Sequence, residues 1–343
     1  MPIELRTGGM EQEIQYCTTS DGVRLAYSII GKGSPMVRAT HWFNHLEYDL
    51  KSSISRHMAL GLAHRHKLLR YDTRGVGLSQ RDVADISFEA WVRDLETVVD
   101  HAGFERFALV GISQGVGISI AYAARHPERV SHLILYDGYA RGRLHQGDPA
   151  KRKETLDLAR AMIRKGWGSE QEAHRQWFTS QFAPDATVEQ QHAFNELQRA
   201  STTAELAERS YCAMADVNVM NLLPQVKVPT LVIHLRGDII VRFELGQEMA
   251  AAIPGAKLVP LEGRNHLFLP GEPVHRQIFD AIASFLGEKR IRGSLPGTAE
   301  FKQRLDTKVR ALEQSWLIKI VIVVAAIAGC FIFLLEMWKL WRH

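Results

Sequence analysis

The stretch Phe107-Ala-Leu-Val-Gly-Ile-Ser113-Gln-Gly-Val-Gly-Ile-Ser-Ile-Ala121 decides the fold. It reads as a buried strand, a sharp turn and a helix. Glycines two residues before and two residues after Ser113 relieve crowding at such a turn, so the hydroxyl stands exposed at the helix N-terminus. There the helix dipole and the amide of Gln114 face any oxyanion that forms. A serine alkoxide is inaccessible at neutral pH without a base, so the motif demands a histidine and an acid further along the chain.

Both are present. Lys257-Leu-Val-Pro-Leu-Glu-Gly-Arg-Asn-His266 reads as a strand and a Gly/Asn turn that delivers an imidazole, whereas His126, His192 and His275 fall within or beside helical patterns. Thr230-Leu-Val-Ile-His-Leu-Arg-Gly-Asp238 reads as a strand that delivers a carboxylate after a glycine. Asp238 would hold His266 in the correct tautomer and stabilise the imidazolium. Asp137, after the strand at 132–136, competes for that role.

Outward from this segment, apolar runs on either side of Asp21-Gly22 predict a hairpin. Strand-length runs at 36–39, 67–71, 107–112, 132–136, 230–234 and 257–261 then alternate with helical patterns, which predicts a mostly parallel sheet with helices on both faces. Between 140 and 222 only helical patterns occur, with Asp148, Ser169, Thr187 and Thr202 at N-cap positions and Thr202 with Glu205 spaced as a capping box. The expected organisation is a catalytic sheet core at 1–139 and 223–288, a helical lid at 140–222, a basic linker and helical stalk at 289–315, and a transmembrane helix at 316–338.

The Ser113 elbow and the order Ser113, Asp238, His266 resemble the α/β-hydrolase superfamily, esterase-like branch, over roughly 14–286. The loop Arg70-Tyr-Asp72-Thr-Arg74-Gly-Val-Gly77-Leu-Ser79 looks like the one after the fourth strand in that branch, with Arg74 and Asp72 pairing inside it. Glu47-Tyr-Asp49, Ser87-Phe-Glu-Ala-Trp91 and Gly111-Ile-Ser-Gln-Gly115 further resemble a bacterial subgroup often joined to adenylate cyclase or DNA-binding regulatory domains. The resemblance implies an α/β-hydrolase fold and an esterase-like activity with a Ser-His-Asp triad. The His-Gly usual after the third strand is absent from Ala39-Thr-His41-Trp42-Phe43. By the same resemblance the second oxyanion amide comes from this loop, with Trp42 preferred over Phe43. Arg242 stands where a proline is common.

A serine nucleophile points to acyl transfer to water: an ester, lactone or thioester substrate, with carbon–carbon hydrolysis and perhydrolysis as chemistries that use a similar triad. Trp42, Phe43, Trp177 and Phe178 are candidate walls of an apolar acyl pocket. His41 and His45 do not share a helix face, so no metal site is expected, and no phosphate loop or dinucleotide fingerprint calls for a cofactor.

Composition bounds the rest. At 343 residues and 46% hydrophobic, the chain has enough material for one large core. Its formal charge of +4 is uneven: residues 289–343 hold ten basic and four acidic side chains, leaving −2 for the body. A slightly acidic body argues against a nucleic-acid partner for the globular part. Three cysteines form no framework, and the N-terminus has no signal-peptide core, so a cytoplasmic catalytic domain is expected. The apolar run 320–335, extended to roughly twenty residues and bounded by Trp316 and Trp338, predicts a single-pass C-terminal anchor. Ala325 and Gly329 form a small-residue pair compatible with a homodimer. The rival to an enzyme is a membrane-anchored sensor that binds or slowly cleaves a small ester.

Overall fold

Gly22, at φ +84°, closes the turn that joins strands β2 (Met10–Thr18) and β3 (Arg24–Ile30). Positive φ carries no Cβ penalty for glycine, which is why the dipeptide Asp21-Gly22 sits here. The computed structural model describes residues 5–7, 10–169 and 171–289, with Thr307 and Arg310. It divides the chain into Met1–Gly297 and Thr298–His343.

The first unit is built on a nine-stranded sheet. Its remaining strands are β1 (Leu5–Thr7), β4 (Ser34–Arg38), β5 (His66–Tyr71), β6 (Phe107–Ile112), β7 (Val130–Tyr136), β8 (Thr230–Leu235) and β9 (Lys257–Leu261). The spatial order is β1-β2-β3-β5-β4-β6-β7-β8-β9. Pairing is antiparallel as far as β3–β5 and parallel from β5 onward. Every residue of β8 is buried, as expected for a parallel strand covered on both faces.

Successive strand residues point to opposite faces and so feed two cores. Val37, Leu69, Leu109 and Val232 face one, with α3 (Phe88–His101) and α4 (Gly115–Arg125) packed over them. Met36, Leu68, Val110 and Ile233 face the other, beneath α2 (Arg56–Ala63) and α10 (Pro273–Phe285). A short α1 (Leu46–Lys51) precedes α2, and α9 (Phe243–Ala252) joins β8 to β9.

Between β7 and β8 the described residues form four α-helices, α5 (Pro149–Gly166), α6 (Glu172–Phe182), α7 (Val188–Ser201) and α8 (Ala204–Ala215), with short 3-10 turns at either end. Asp148 and Thr187 cap α5 and α7, and Thr187 forms a capping box with Gln190. The box predicted at Thr202 and Glu205 does not form. Thr202 ends α7 in extended backbone and spends its hydroxyl on the Gly75 carbonyl at 2.7 Å, so Thr203 caps α8 instead. Gln171 rather than Ser169 occupies the N-cap position of α6, without a side-chain capping hydrogen bond.

No helix among the described residues is long and apolar enough to cross a membrane. The longest, α5, has 18 residues but carries Lys151, Arg152, Lys153, Arg160, Arg164 and Lys165, whereas a span needs about 20 mostly apolar residues. This corrects the expected C-terminal transmembrane helix at 316–338 and the single-pass membrane placement derived from it. That stretch lies outside the described residues, as do the Ala325 and Gly329 pair behind the expected homodimer and most of the expected linker and stalk at 289–315.

Candidate active site

Ser113 follows β6 directly and takes φ +54°, a left-handed conformation rare outside glycine. Its backbone N–H donates to the Tyr136 carbonyl of β7 at 3.0 Å, and its own carbonyl accepts from Val116 at 3.1 Å as α4 begins. The flanking glycines answer specific contacts. A Cβ on Gly111 would lie 2.6 Å from Ser119 Oγ and 2.7 Å from the Gly115 carbonyl, while one on Gly115 would lie 2.6 Å from the Thr40 carbonyl. The absence of side chains thus lets α4 seat on the end of β6 and lets the 39–44 loop close over the helix N-terminus.

Asp238 and His266 reach the same point from the ends of β8 and β9. His266 Nδ1 lies 2.7 Å from Asp238 Oδ2 and Nε2 lies 2.9 Å from Ser113 Oγ. The other Asp238 oxygen accepts from the backbone N–H groups of Ile240 and Val241 at 2.8 and 3.2 Å. Burial alone would raise the Asp238 carboxyl, but the adjacent His266 charge, its hydrogen bond and these amides outweigh burial and hold it below the usual carboxylate range. Burial likewise pushes the His266 imidazole down, yet Asp238 outweighs it and the group sits above its ordinary value.

Asp137 directly follows β7 beside them, with φ +39°. Donor atoms of Asp137, Asp238 and His266 all lie within 4.8 Å of one another. Asp137 Oδ1 accepts from Leu235 N–H at 2.7 Å. Burial, and then the Asp238 charge, push its carboxyl upward. Because His266 already directs both ring nitrogens at Asp238 and Ser113, the cluster is arranged for proton transfer.

The 39–44 loop is held from below. Thr40 Oγ1 donates to Asn44 Oδ1 at 2.7 Å, and Asn44 Nδ2 donates to the Tyr71 carbonyl at 3.0 Å and to Asp72 Oδ1. Asp72 also accepts from the backbone N–H groups of Leu46 at 3.1 Å and Leu78 at 2.9 Å. The predicted Asp72–Arg74 pair therefore does not form. Arg74 turns away to Asp94 of α3 at 2.7 Å and to Asp21 of the first hairpin at 2.8 Å. Burial raises Asp72 to about 7.

Two cavities meet at Ser113. One, of about 150 Å³, includes Trp42, Trp177 and Phe178 in its lining. The other, of about 90 Å³, includes Trp42, Phe43 and His266. Trp42 is buried at the junction, its indole N–H donating to the Ala207 carbonyl of α8 at 3.2 Å and its ring against Phe43, Trp167, Phe178 and Tyr211. Gln114 is buried at the first turn of α4.

The sequence reading missed the tie between the His266 loop and the helices inserted between β7 and β8. Leu267 N–H donates to the Phe182 carbonyl of α6 at 3.1 Å, and Asn265 Oδ1 accepts from Asp185 N–H at 3.0 Å. Nothing in the local pattern of 262–268 marks a partner some 80 residues away.

The model of the alpha/beta hydrolase fold family matches residues 45–273, which contain all three residues of the relay. The chain belongs to the α/β-hydrolase family. It is an enzyme of the hydrolase class. The AB hydrolase superfamily protein YisY of Bacillus subtilis is 28% identical over 73% of this chain and 91% of its own length. RutD of Azorhizobium caulinodans, named as a proposed carbamate hydrolase, is 26% identical over 77% of this chain and 95% of its own. Among solved structures, the enol-lactonase of Burkholderia xenovorans is 23% identical with a TM-score of 0.64, over 80% of this chain and 100% of that one. This α/β hydrolase carries Ser113, Asp238 and His266 past the C-terminal ends of three parallel strands, where open α/β sheets gather their ligands.

Proposed function

We propose that the protein is a serine hydrolase that cleaves a carboxylic ester, lactone or thioester through an acyl-enzyme. One observation carries the reading: the unbroken relay from Asp238 Oδ2 to His266 at 2.7 Å and from His266 to Ser113 Oγ at 2.9 Å. Neutral His266 takes the Ser113 proton as Oγ attacks the carbonyl carbon, and Asp238 stabilises the imidazolium that results. The oxyanion is received by the backbone N–H groups of Gln114 and of Trp42 in the loop that Asn44 and Asp72 hold. Collapse of the tetrahedral intermediate breaks the bond to the leaving group, which departs with the proton from His266. Water then attacks the acyl-Ser113 ester by the same route in reverse, releasing the acid.

The similarity to RutD adds carbamates to the substrates worth testing, since a carbamate carbonyl requires the same nucleophile and oxyanion donors. A fluorophosphonate probe should label Ser113, and Ser113→Ala should lose labelling and roughly 10⁴–10⁶-fold in kcat. Continued labelling of Ser113→Ala would remove the assignment.

A further inference from the structure

The larger cavity at Ser113 is walled mainly by aromatic and aliphatic side chains, yet Arg143 and Arg242 also line it and no Asp or Glu is among the described lining residues. The two arginines share one rim: Arg143 donates to the carbonyl of Ile240, two residues before Arg242, at 3.3 Å. Among the described residues neither has a carboxylate within ion-pair distance. Other arginines nearby are paired, Arg141 with Glu248 at 2.9 Å and Arg160 with Glu208 at 2.8 Å. A body that is net acidic thus presents, on the lining of a largely apolar cleft, two exposed guanidinium groups with no carboxylate partner among the described residues, a positive patch that salt can screen. The charge of Arg143 is felt as far as His266, where it opposes the imidazolium.

The geometry also says which half of the substrate meets them. His266 lines the smaller cavity and not the larger. Since its Nε2 delivers the proton to the leaving group, that group exits toward the smaller cavity, where Arg38 is already paired with Asp49 at 3.2 Å. On that assignment the acyl chain takes the larger one, whose lining includes Arg143 and Arg242.

We propose that the acyl part of the substrate ends in an anionic group, a carboxylate or a phosphate, bound at this rim by Arg143 and Arg242, so that hydrolysis releases a product with an anion at each end. Guanidinium groups pair with either anion through parallel N–H donors. The inference rests on the serine hydrolase reading above.

The test compares ethanol release from monoethyl adipate with release from ethyl 6-oxoheptanoate, its neutral isostere. The wild type should favour the anionic ester at least tenfold in kcat/KM, mostly through KM, and added salt should erode the preference. In the Arg143→Gln, Arg242→Gln double variant the ratio should fall to near one, and the corresponding lysine variants should restore part of it. Equal turnover of the two esters by the wild type, or a ratio unchanged in the double variant, overturns the proposal. Binding to Ser113→Ala separates the two readings. Adipate or 5-phosphonopentanoate should bind it by calorimetry and lose affinity at least tenfold when both arginines are replaced, the tighter ligand naming the head group. If neither anion binds, the rim is not an anion site; if one binds but the wild type takes no fluorophosphonate label, the hydrolase reading fails and the anion site stands.

Discussion

Two carboxyl groups meet one imidazole at the centre of this site, and their surroundings drive them apart. Asp238 is held ionised by His266 and two backbone amides, while Asp137 is pushed toward its neutral form by burial and by the Asp238 charge. Asp238→Asn should therefore cost about 10⁴-fold in kcat, because the amide favours the wrong histidine tautomer. Asp137→Asn exchanges one neutral group for another and should keep kcat within about tenfold. In the proposed mechanism His266 acts as a base only when neutral, and Asp238 raises its pKa above its ordinary value of 6.5 against the pull of burial. The rate should thus rise with pH through a midpoint above 6.5, measured as kcat/KM between pH 5 and 9; a midpoint below 6.5 would contradict the pairing. The positions of Ser113, Asp238 and His266 were legible because each follows an apolar strand, and parallel strands end at one edge of the sheet. The partner of Arg74 was not, since a loop sequence displays Asp72 two residues away but not Asp94, which a helix brings in from elsewhere.

At the scale of elements, Asp94 is the point where α3 is bound to the loop after β5. Arg74 is fully buried and held by Asp94 at 2.7 Å, with Asp21 at 2.8 Å on its other side. Asp94→Ala removes the buried partner and leaves Arg74 only the part-exposed Asp21, so it should destabilise the protein by roughly 1.5–3 kcal/mol. Urea unfolding should show this as a lower midpoint with little change in slope. Strands β6 and β9 were legible to the residue, because apolar runs bounded by turn residues leave little freedom in their limits. The caps of the helices between β7 and β8 were harder to place. Ser169, Thr202 and Thr203 are chemically alike, and which of them caps depends on contacts such as Thr202 to Gly75 that no local pattern carries. The apolar run at 316–338 shows the limit of reading length and hydropathy alone, for none of the described helices supplies the span it suggested.

Across the whole molecule, the sheet separates two cores, and the one beneath α2 and α10 contains a feature that couples stability to acid. His57 of α2 stacks on His275 of α10 with ring centroids 4.8 Å apart, and His275 stacks on Phe268, two residues past His266, again at 4.8 Å. Both imidazoles are buried. Burial lowers His275 to about 4 and His57 well below its ordinary value, the second histidine adding to the effect at His57. In the unfolded chain both groups protonate near 6.5. Their neutral packing therefore contributes fully above that pH and is lost as pH falls from 6.5 toward 4, where the unfolded state binds more protons. For His275 alone this amounts to about 3 kcal/mol across the window. Asp72 works in the opposite sense: raised to about 7, it favours the folded state below its unfolded value near 4 and opposes it as pH rises to 7. Wild-type stability against pH reports the sum, so a variant is needed to isolate the stack. His275→Phe preserves an aromatic ring between His57 and Phe268 but removes one titrating group, so its unfolding free energy should fall less steeply between pH 6.5 and 4 than that of the wild type. Parallel curves over that interval would show that the buried imidazoles do not set the acid limit, and the carboxylates of Asp238 and Asp21, held low by their cationic partners, would then account for it.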